Sequence, residues 1–278
     1  MNTATPPSAP DDSTLWHLAV ELDSDALRAV ARSTVDDSAV LAVTVALDPS
    51  APAPLKALED AVYSTPMLLA EYRSVTVAVR TTAYTLCADV LGDTCADACA
   101  DICAIGGDGL TLMHDAIAAA GATTVWAVAD DILNFVRRTF HNCTIVHHTT
   151  PLLRYFAGRR RAGNGGKTYA HFHAGSPAAV DIIIFDGDGH LALAATKIIN
   201  SDADAMYYIL AAARACGADP AADSICLCGD GARRAALMPL LRRYVASVMP
   251  VIFPAAAFRG GDAALKAPFP LILMPLCE

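Results

Sequence analysis

His171 and His173 stand two residues apart in the apolar run Thr168–Ala174. In an extended chain, residues i and i+2 share a face, so both imidazoles project together. A histidine pair of that kind can begin a metal site. Asp181, Asp186, Asp188 and His190 follow closely, and Asp186 is the carboxylate assigned to the pair. Imidazole plus carboxylate would suit a zinc or iron hydrolase. The competing reading makes His171 and His173 the lining of a cleft. It also makes Asp186 and Asp188 the turn residues of Asp186-Gly187-Asp188-Gly189. His147-His148 is an adjacent pair whose rings point to opposite faces if extended, which argues against a shared metal.

Other chemistry is weaker. Cys95, Cys99 and Cys103 repeat every four residues, which aligns them on one helix face. They lack the paired spacing of a zinc site, so buried small hydrophobes is the preferred reading. The stretch Ala162-Gly163-Asn164-Gly165-Gly166-Lys167-Thr168 resembles a phosphate-binding loop at first sight. It fails because Arg161 stands where the leading glycine belongs, and because it precedes a strand instead of following one. No Gly-x-Ser-x-Gly elbow occurs. Trp16 and Trp126 read as core anchors.

Charge is unevenly placed. The net charge is −9 over 278 residues, which argues against general nucleic-acid binding. Residues 1–131 carry 5 Lys/Arg against 19 Asp/Glu, whereas residues 137–167 carry 7 Lys/Arg and no acid. Arg159, Arg160, Arg161 and Lys167 form the centre of that cationic stretch. It either meets an anionic partner or is a solvated connector.

Elements must position these groups. Hydrophobic residues make up 54% of the chain, and mean hydropathy is +0.39. No apolar run reaches the ~18 residues of a spanning helix. Met1–Ser13 holds three prolines, two aspartates and no cation, unlike a signal peptide or a basic targeting arm. With 9 cysteines and no leader, a reducing, cytoplasmic setting is expected.

Three short apolar stretches, Leu15–Asp23, Ala26–Thr34 and Val40–Leu47, read as consecutive antiparallel strands. Pro54 opens a helix. A strand over Ser74–Arg80, a helix around Thr94–Ala104, a strand at Thr123–Ala129, a helix at Asp130–Thr139 and a strand at Cys143–His147 follow. The pattern restarts with strands at Thr168–Ala174, Ala179–Phe185 and His190–Ile198. A helix over Ala205–Cys216 has a capping sequence at Ser201–Asp204 and a stop at Gly217. A strand at Ser224–Cys228 and a helical region reaching Val248, broken near Pro239, complete the copy. Three strands followed by alternating helices and strands, twice, predicts two α/β domains with mixed sheets and a cleft between them. The expected division is a disordered 1–13, a first domain over 14–160 and a second over 161–278.

This order resembles the duplicated RNase H-like fold of actin, sugar kinases and Hsp70-type chaperones. The second half is similar to an uncharacterised bacterial domain of unknown function with an actin-like fold. The stretches that carry the likeness are His147–Leu153, Ala194–Asn200, Asp204–Leu210 and Leu227–Gly231. The resemblance implies two Asp-x-Gly hairpins, one per domain, that cradle phosphates and metal. The first corresponds to Asp23-Ser24, without its glycine. The second corresponds to His173-Ala174-Gly175-Ser176, with histidine in place of the aspartate. Gly229-Asp230-Gly231 corresponds to the turn that approaches adenosine. The resemblance thus implies an actin-like ATPase fold whose phosphate loops have departed from the active pattern. The expected function is binding a small ligand in the cleft or a protein partner. No cofactor is expected, with ATP and Mg²⁺ as the alternative for a nucleotide-binding enzyme or switch.

Overall fold

The computed structural model describes residues 8–89, 93–160 and 165–276. The first half builds β1 (Trp16–Leu22), β2 (Ala26–Ser33), β3 (Val40–Ala46), α1 (Pro54–Tyr63) and β4 (Ser74–Val79). A small unit of β5 (Tyr84–Ala88), α2 (Asp93–Ile102), β6 (Leu110–Ile117) and β7 (Ala122–Ala129) is inserted next. Then come α3 (Asp130–Thr139), β8 (Cys143–His147) and α4 (Thr150–Ala157). The second half builds β9 (Lys167–Phe172), β10 (Ala179–Phe185), β11 (Leu191–Ile198), α5 (Asp202–Ala215), β12 (Ser224–Gly229), α6 (Gly231–Leu241) and β13 (Ser247–Pro250). Three short helices end it: α7 (Ala255–Arg259), α8 (Gly261–Lys266) and α9 (Phe269–Leu273).

The duplication is explicit in the sheets. One sheet runs β3-β2-β1-β4-β8 and the other β11-β10-β9-β12-β13. In each, the first three strands are antiparallel and the last two join in parallel. The parallel joins need crossover connections, and α1 with the inserted unit, α5 and α6 supply them. β10 is buried on both faces, which explains its near-continuous apolar sequence. The edge strand β3 instead alternates between half-buried and exposed residues.

One face of the first sheet buries Leu18, Val20 and Val77 against Leu58 and Val62 of α1 and Phe135 of α3. Its other face packs Ala19, Val30 and Ala78 against Ala264, Leu271 and Ile272. The C-terminal stretch therefore crosses back onto the first half. In the second half, Phe172, Ile182 and Leu227 pack against Ile209 of α5 and Leu237 of α6. The opposite face places Tyr169, Ile183 and Cys228 against Leu152, Phe156, Phe269 and Leu273. Helices α4 and α9 thus lie between the two sheets. Phe156 stacks on Tyr169 with ring centroids 3.8 Å apart.

The expected elements are present with shifted ends, and three differences are physical. The predicted helix reaching Val248 stops at Leu241, and Ser247–Pro250 is a strand. Pro239 sits inside α6, lacks an N–H to continue the ladder, and the helix ends within two residues. The β5-β7-β6 sheet was read only at its β7 strand. α4, eight residues long with Pro151 in its first turn, was read as no element at all. The α5 signals act as expected: Ser201 Oγ accepts from Asp204 N at 3.1 Å, and Gly217 takes φ +75°. No helix among the described residues is long and apolar enough to cross a membrane. Of the expected disordered stretch 1–13, residues 1–7 lie outside the described residues.

Candidate functional site

Strands β1, β4, β8, β9 and β12 all deliver their carboxyl ends to one place between the halves. Asp23 follows β1, Arg80 follows β4, His148 follows β8, His173 follows β9 and Asp230 follows β12. Carboxyl ends at a topological switch point are where open α/β sheets bind ligands. A cavity of about 340 Å³ opens there, lined from both halves by Glu21, Asp23, His173, Gly175, Asp230 and Arg234, with Lys266 and Phe269 from the C-terminal helices. The cleft set read from the sequence, Asp23, Ser24, His173, Gly175, Ser176, Gly229, Asp230 and Gly231, comes together here.

The two hairpin tips touch. Ser176 N donates to Asp25 Oδ2 at 2.7 Å, and Ser24 Oγ donates to the Ser176 carbonyl at 3.3 Å. Arg80 reaches across to the Pro177 carbonyl at 3.2 Å. A Cβ on Gly175 would sit 2.8 Å from Arg28 Nη2 and 3.0 Å from Asp23 Oδ2, so a larger residue there would push these side-chain ends aside.

Asp23 is fully engaged. Its Oδ1 accepts from Ser24 N at 2.7 Å, and its Oδ2 accepts from Arg28 at 3.2 Å and from Arg80. Burial pushes this carboxyl up. The Arg80 guanidinium, the Ser24 N–H and Arg28 outweigh burial and hold it below the usual range. Glu21, on the same guanidinium of Arg28 at 3.5 Å, is deeper, and burial raises it.

Gly229 has φ +83°, and a Cβ there would meet the Phe172 carbonyl at 2.1 Å. Its glycine is required by packing on β9. Gly231 has open space, its nearest neighbour for a Cβ being Arg234 at 3.7 Å. Asp230 caps α6 by accepting from Arg233 N at 2.8 Å.

Beneath the cavity lies a buried carboxylate ringed by imidazoles. Asp181 accepts from His148 Nε2 at 3.1 Å, His171 Nδ1 at 3.1 Å and His173 Nε2 at 2.7 Å. Thr196 Oγ1 adds a fourth bond at 2.8 Å. Burial opposes ionisation of Asp181, but the histidines and their hydrogen bonds hold it well below the usual range. Burial lowers His173 to about 4, against the pull of Asp181. The sequence grouping of His171, His173 and Asp186 is corrected. Asp181 faces His171 in the strand register, whereas Asp186 follows Phe185, which pairs with Lys167 at the far end. Five residues of strand separate them by roughly 16 Å. Asp186 instead forms the turn, accepting from Asp188 N at 3.0 Å and His190 N at 2.8 Å.

His148 is a second correction. It follows β8 instead of continuing it, so its ring centroid lies 4.2 Å from that of His147 and both rings are buried. The cationic stretch is only partly free. Arg160 Nη2 donates to the Gly165 and Asp186 carbonyls at 3.1 and 2.9 Å, and Arg159 lies 3.7 Å over the Tyr155 ring. Lys167 opens β9, half-buried, and Arg161 lies outside the described residues. Glu21, Arg28 and Arg80 were missed. A signal existed for Glu21, the one carboxylate in an apolar strand, which must find a buried partner.

The paired sheets and the cleft at their carboxyl ends define an actin-like ATPase fold. A Bacteroides thetaiotaomicron protein with an actin-like ATPase fold and unknown function is similar, with a TM-score of 0.75 and 18% identity over 86% of this chain and 91% of that one. The PilM–PilN type IV pilus biogenesis complex is also similar, with a TM-score of 0.56 and 12% identity over 96% of this chain and 98% of that one. The chain belongs to the family described as "Protein of unknown function (DUF3822)", which matches residues 7–248. No curated protein matches it significantly.

Proposed function

We propose that this chain is a cytoplasmic binding protein of the actin-like fold that does not hydrolyse nucleotide. The observation that supports this reading is the saturation of Asp23. Its Oδ1 takes the Ser24 N–H and its Oδ2 takes both Arg28 and Arg80, so a hydrated Mg²⁺ approaching this carboxylate would meet two guanidinium groups of its own sign. The tips that would clasp a phosphate are hydrogen-bonded to each other. His173, at the position of the second aspartate, is turned to Asp181.

The ligand is a small anionic molecule with an apolar part, held in the cleft. The cavity's size suits a small molecule, and Arg234 and Lys266 supply charge beside Phe253 and Phe269. Cys226 and Cys228, buried free thiols, agree with a reducing compartment.

The test is ATP turnover by the full chain with and without Mg²⁺, beside melting temperatures with ~1 mM ATP or ADP. The expected result is no turnover above buffer. Mg²⁺-dependent hydrolysis that disappears in Asp23→Ala would overturn the reading. Nucleotide-induced stabilisation without hydrolysis would place a nucleotide among the anionic ligands of the cleft.

A further inference from the structure

We propose that His148, His171, His173 and Asp181 bind one divalent transition-metal ion of the zinc class, which ties the two halves together. His148 comes from the first half, immediately after β8. The other three come from β9, its end, and β10 in the second. The near nitrogens of His148, His171 and His173 lie 3.1, 3.1 and 2.7 Å from an Asp181 oxygen. Donor atoms of His148, His173 and Asp181 all fall within 4.8 Å of one another. Ligands of a tetrahedral ion with bonds of ~2.0–2.1 Å are separated by roughly 3.3 Å. His148, His173 and Asp181 would draw together around the ion, and His171, which stands outside that group but 3.1 Å from Asp181, would turn toward it.

Charge gives the reason for an ion. Asp181 is 1% exposed, and its four hydrogen-bond partners are three imidazoles and the Thr196 hydroxyl. None is a fixed cation, so the charge of this buried carboxylate rests on the imidazoles and the hydroxyl, and a metal ion would supply a permanent positive charge there. Three imidazoles and a carboxylate form a donor set that suits zinc and its neighbours and is poor for Mg²⁺. A neutral imidazole that now donates to Asp181 moves its proton to the remote nitrogen and offers the near lone pair, so no net proton is exchanged. Outer support is in place: Thr196 holds Asp181, and Tyr84 Oη lies 3.2 Å from Thr196 Oγ1. His171 and His173 line the cavity, which gives the ion its way in.

The experiment strips the purified full chain with a chelator and reloads it with Zn²⁺ or Co²⁺. Expected results are one zinc per chain by elemental analysis, and a Co²⁺ complex with the strong visible absorption of tetrahedral coordination. Zinc at ~100 times its dissociation constant should raise the melting temperature by roughly 5–10 °C. His148→Ala and His173→Ala should abolish the shift, and Asp186→Asn should retain it. The cobalt spectrum of the unaltered protein decides the matter if the alanine variants fail to fold. A reloaded chain with substoichiometric zinc, no melting shift and the pale spectrum of octahedral aquo-cobalt would overturn the proposal and leave a hydrogen-bonded core. Neither ATP nor Mg²⁺ enters this measurement, so its outcome is separate from that of the hydrolysis assay.

Discussion

The backbone N–H of Ser176, in the second half, donates to the carboxylate of Asp25, in the first, at 2.7 Å. The bond joins the two loops that an actin-like enzyme would open around a phosphate. Asp25 also accepts from Arg28 at 3.1 Å, so the latch is tied into the ion-pair group around Asp23. Asp25→Ala removes a charge-assisted bond at a partly exposed site and should cost about 1–2 kcal/mol in urea unfolding. Arg80→Met strips Asp23 of its closest cation and also frees the Pro177 carbonyl. It should cost about 3 kcal/mol, since Arg28 remains to offset part of the buried charge. Equal, negligible losses in both variants would mean that the halves do not depend on the latch.

Arg28 serves two carboxylates whose pH effects have opposite sign. Asp23 titrates lower in the folded chain than its ordinary 3.8, despite burial, because of Arg80, Ser24 and Arg28. The native state then binds its proton less readily than the unfolded state. This stabilisation is complete above pH ~4 and is lost as pH falls toward the folded value. Glu21 is raised above its ordinary 4.5 by burial. Stability from Glu21 therefore declines as pH rises through its folded value, and at pH 7 its charge is a cost. Asp23→Asn should melt well below the parent at pH 7, with the gap narrowing by pH 3. Glu21→Gln should melt at the same temperature or higher at pH 7. A melting series from pH 3 to 7 checks both, and a large loss in Glu21→Gln at neutral pH would contradict the assigned sign.

Two glycines two residues apart should respond in opposite ways. At Gly229, φ is +83° and an added Cβ would meet the Phe172 carbonyl at 2.1 Å. Gly229→Ala must displace β12 from β9 and should cost at least about 3 kcal/mol. Gly231 starts α6 in open space. Gly231→Ala gains helix propensity and should be neutral or stabilise by up to about 1 kcal/mol. Chemical denaturation of the pair reads this directly. Comparable losses at both positions would mean that the turn is read by contacts other than the Phe172 backbone.

Much of this architecture is legible in the residues because local signals agree with the fold. β10 is an apolar run with one charge, α3 has Asp130 and Asp131 at its start and Arg137 and Arg138 at its end, and α5 carries its cap. Such consistency explains why the duplicated order of strands and helices is visible without coordinates. The site was only half legible. Asp23, His173 and Gly229 lie at strand ends, where pattern locates them. Arg80 and His148 act through partners 57 and 33 residues away, and no local period encodes those pairings. The assignment of Asp186 to the histidine pair failed for a related reason. Nearness in sequence put it beside Asp181, but a strand carries the two carboxylates to opposite ends of the sheet.

The C-terminal helices provide the last test. Leu271 of α9 is fully buried against Ala19, Val30, Ala78 and Val146 of the first sheet. Its neighbours Phe269 and Leu273 pack instead with Leu152, Phe156 and Cys228 on the second. One short helix therefore shares both cores, and its removal from either should be felt by the other. Leu271→Ala should cost about 2–5 kcal/mol, whereas Leu265→Ala, at a site 41% exposed, should stay within about 0.5 kcal/mol. The shared packing also fixes the form of the melt. Leu271→Ala should unfold in one transition at a lower temperature, seen alike by fluorescence of Trp16 and Trp126 in the first half and by far-UV dichroism of the whole chain. Two separated transitions in that variant would mean that α9 adheres to the first sheet without coupling it to the second.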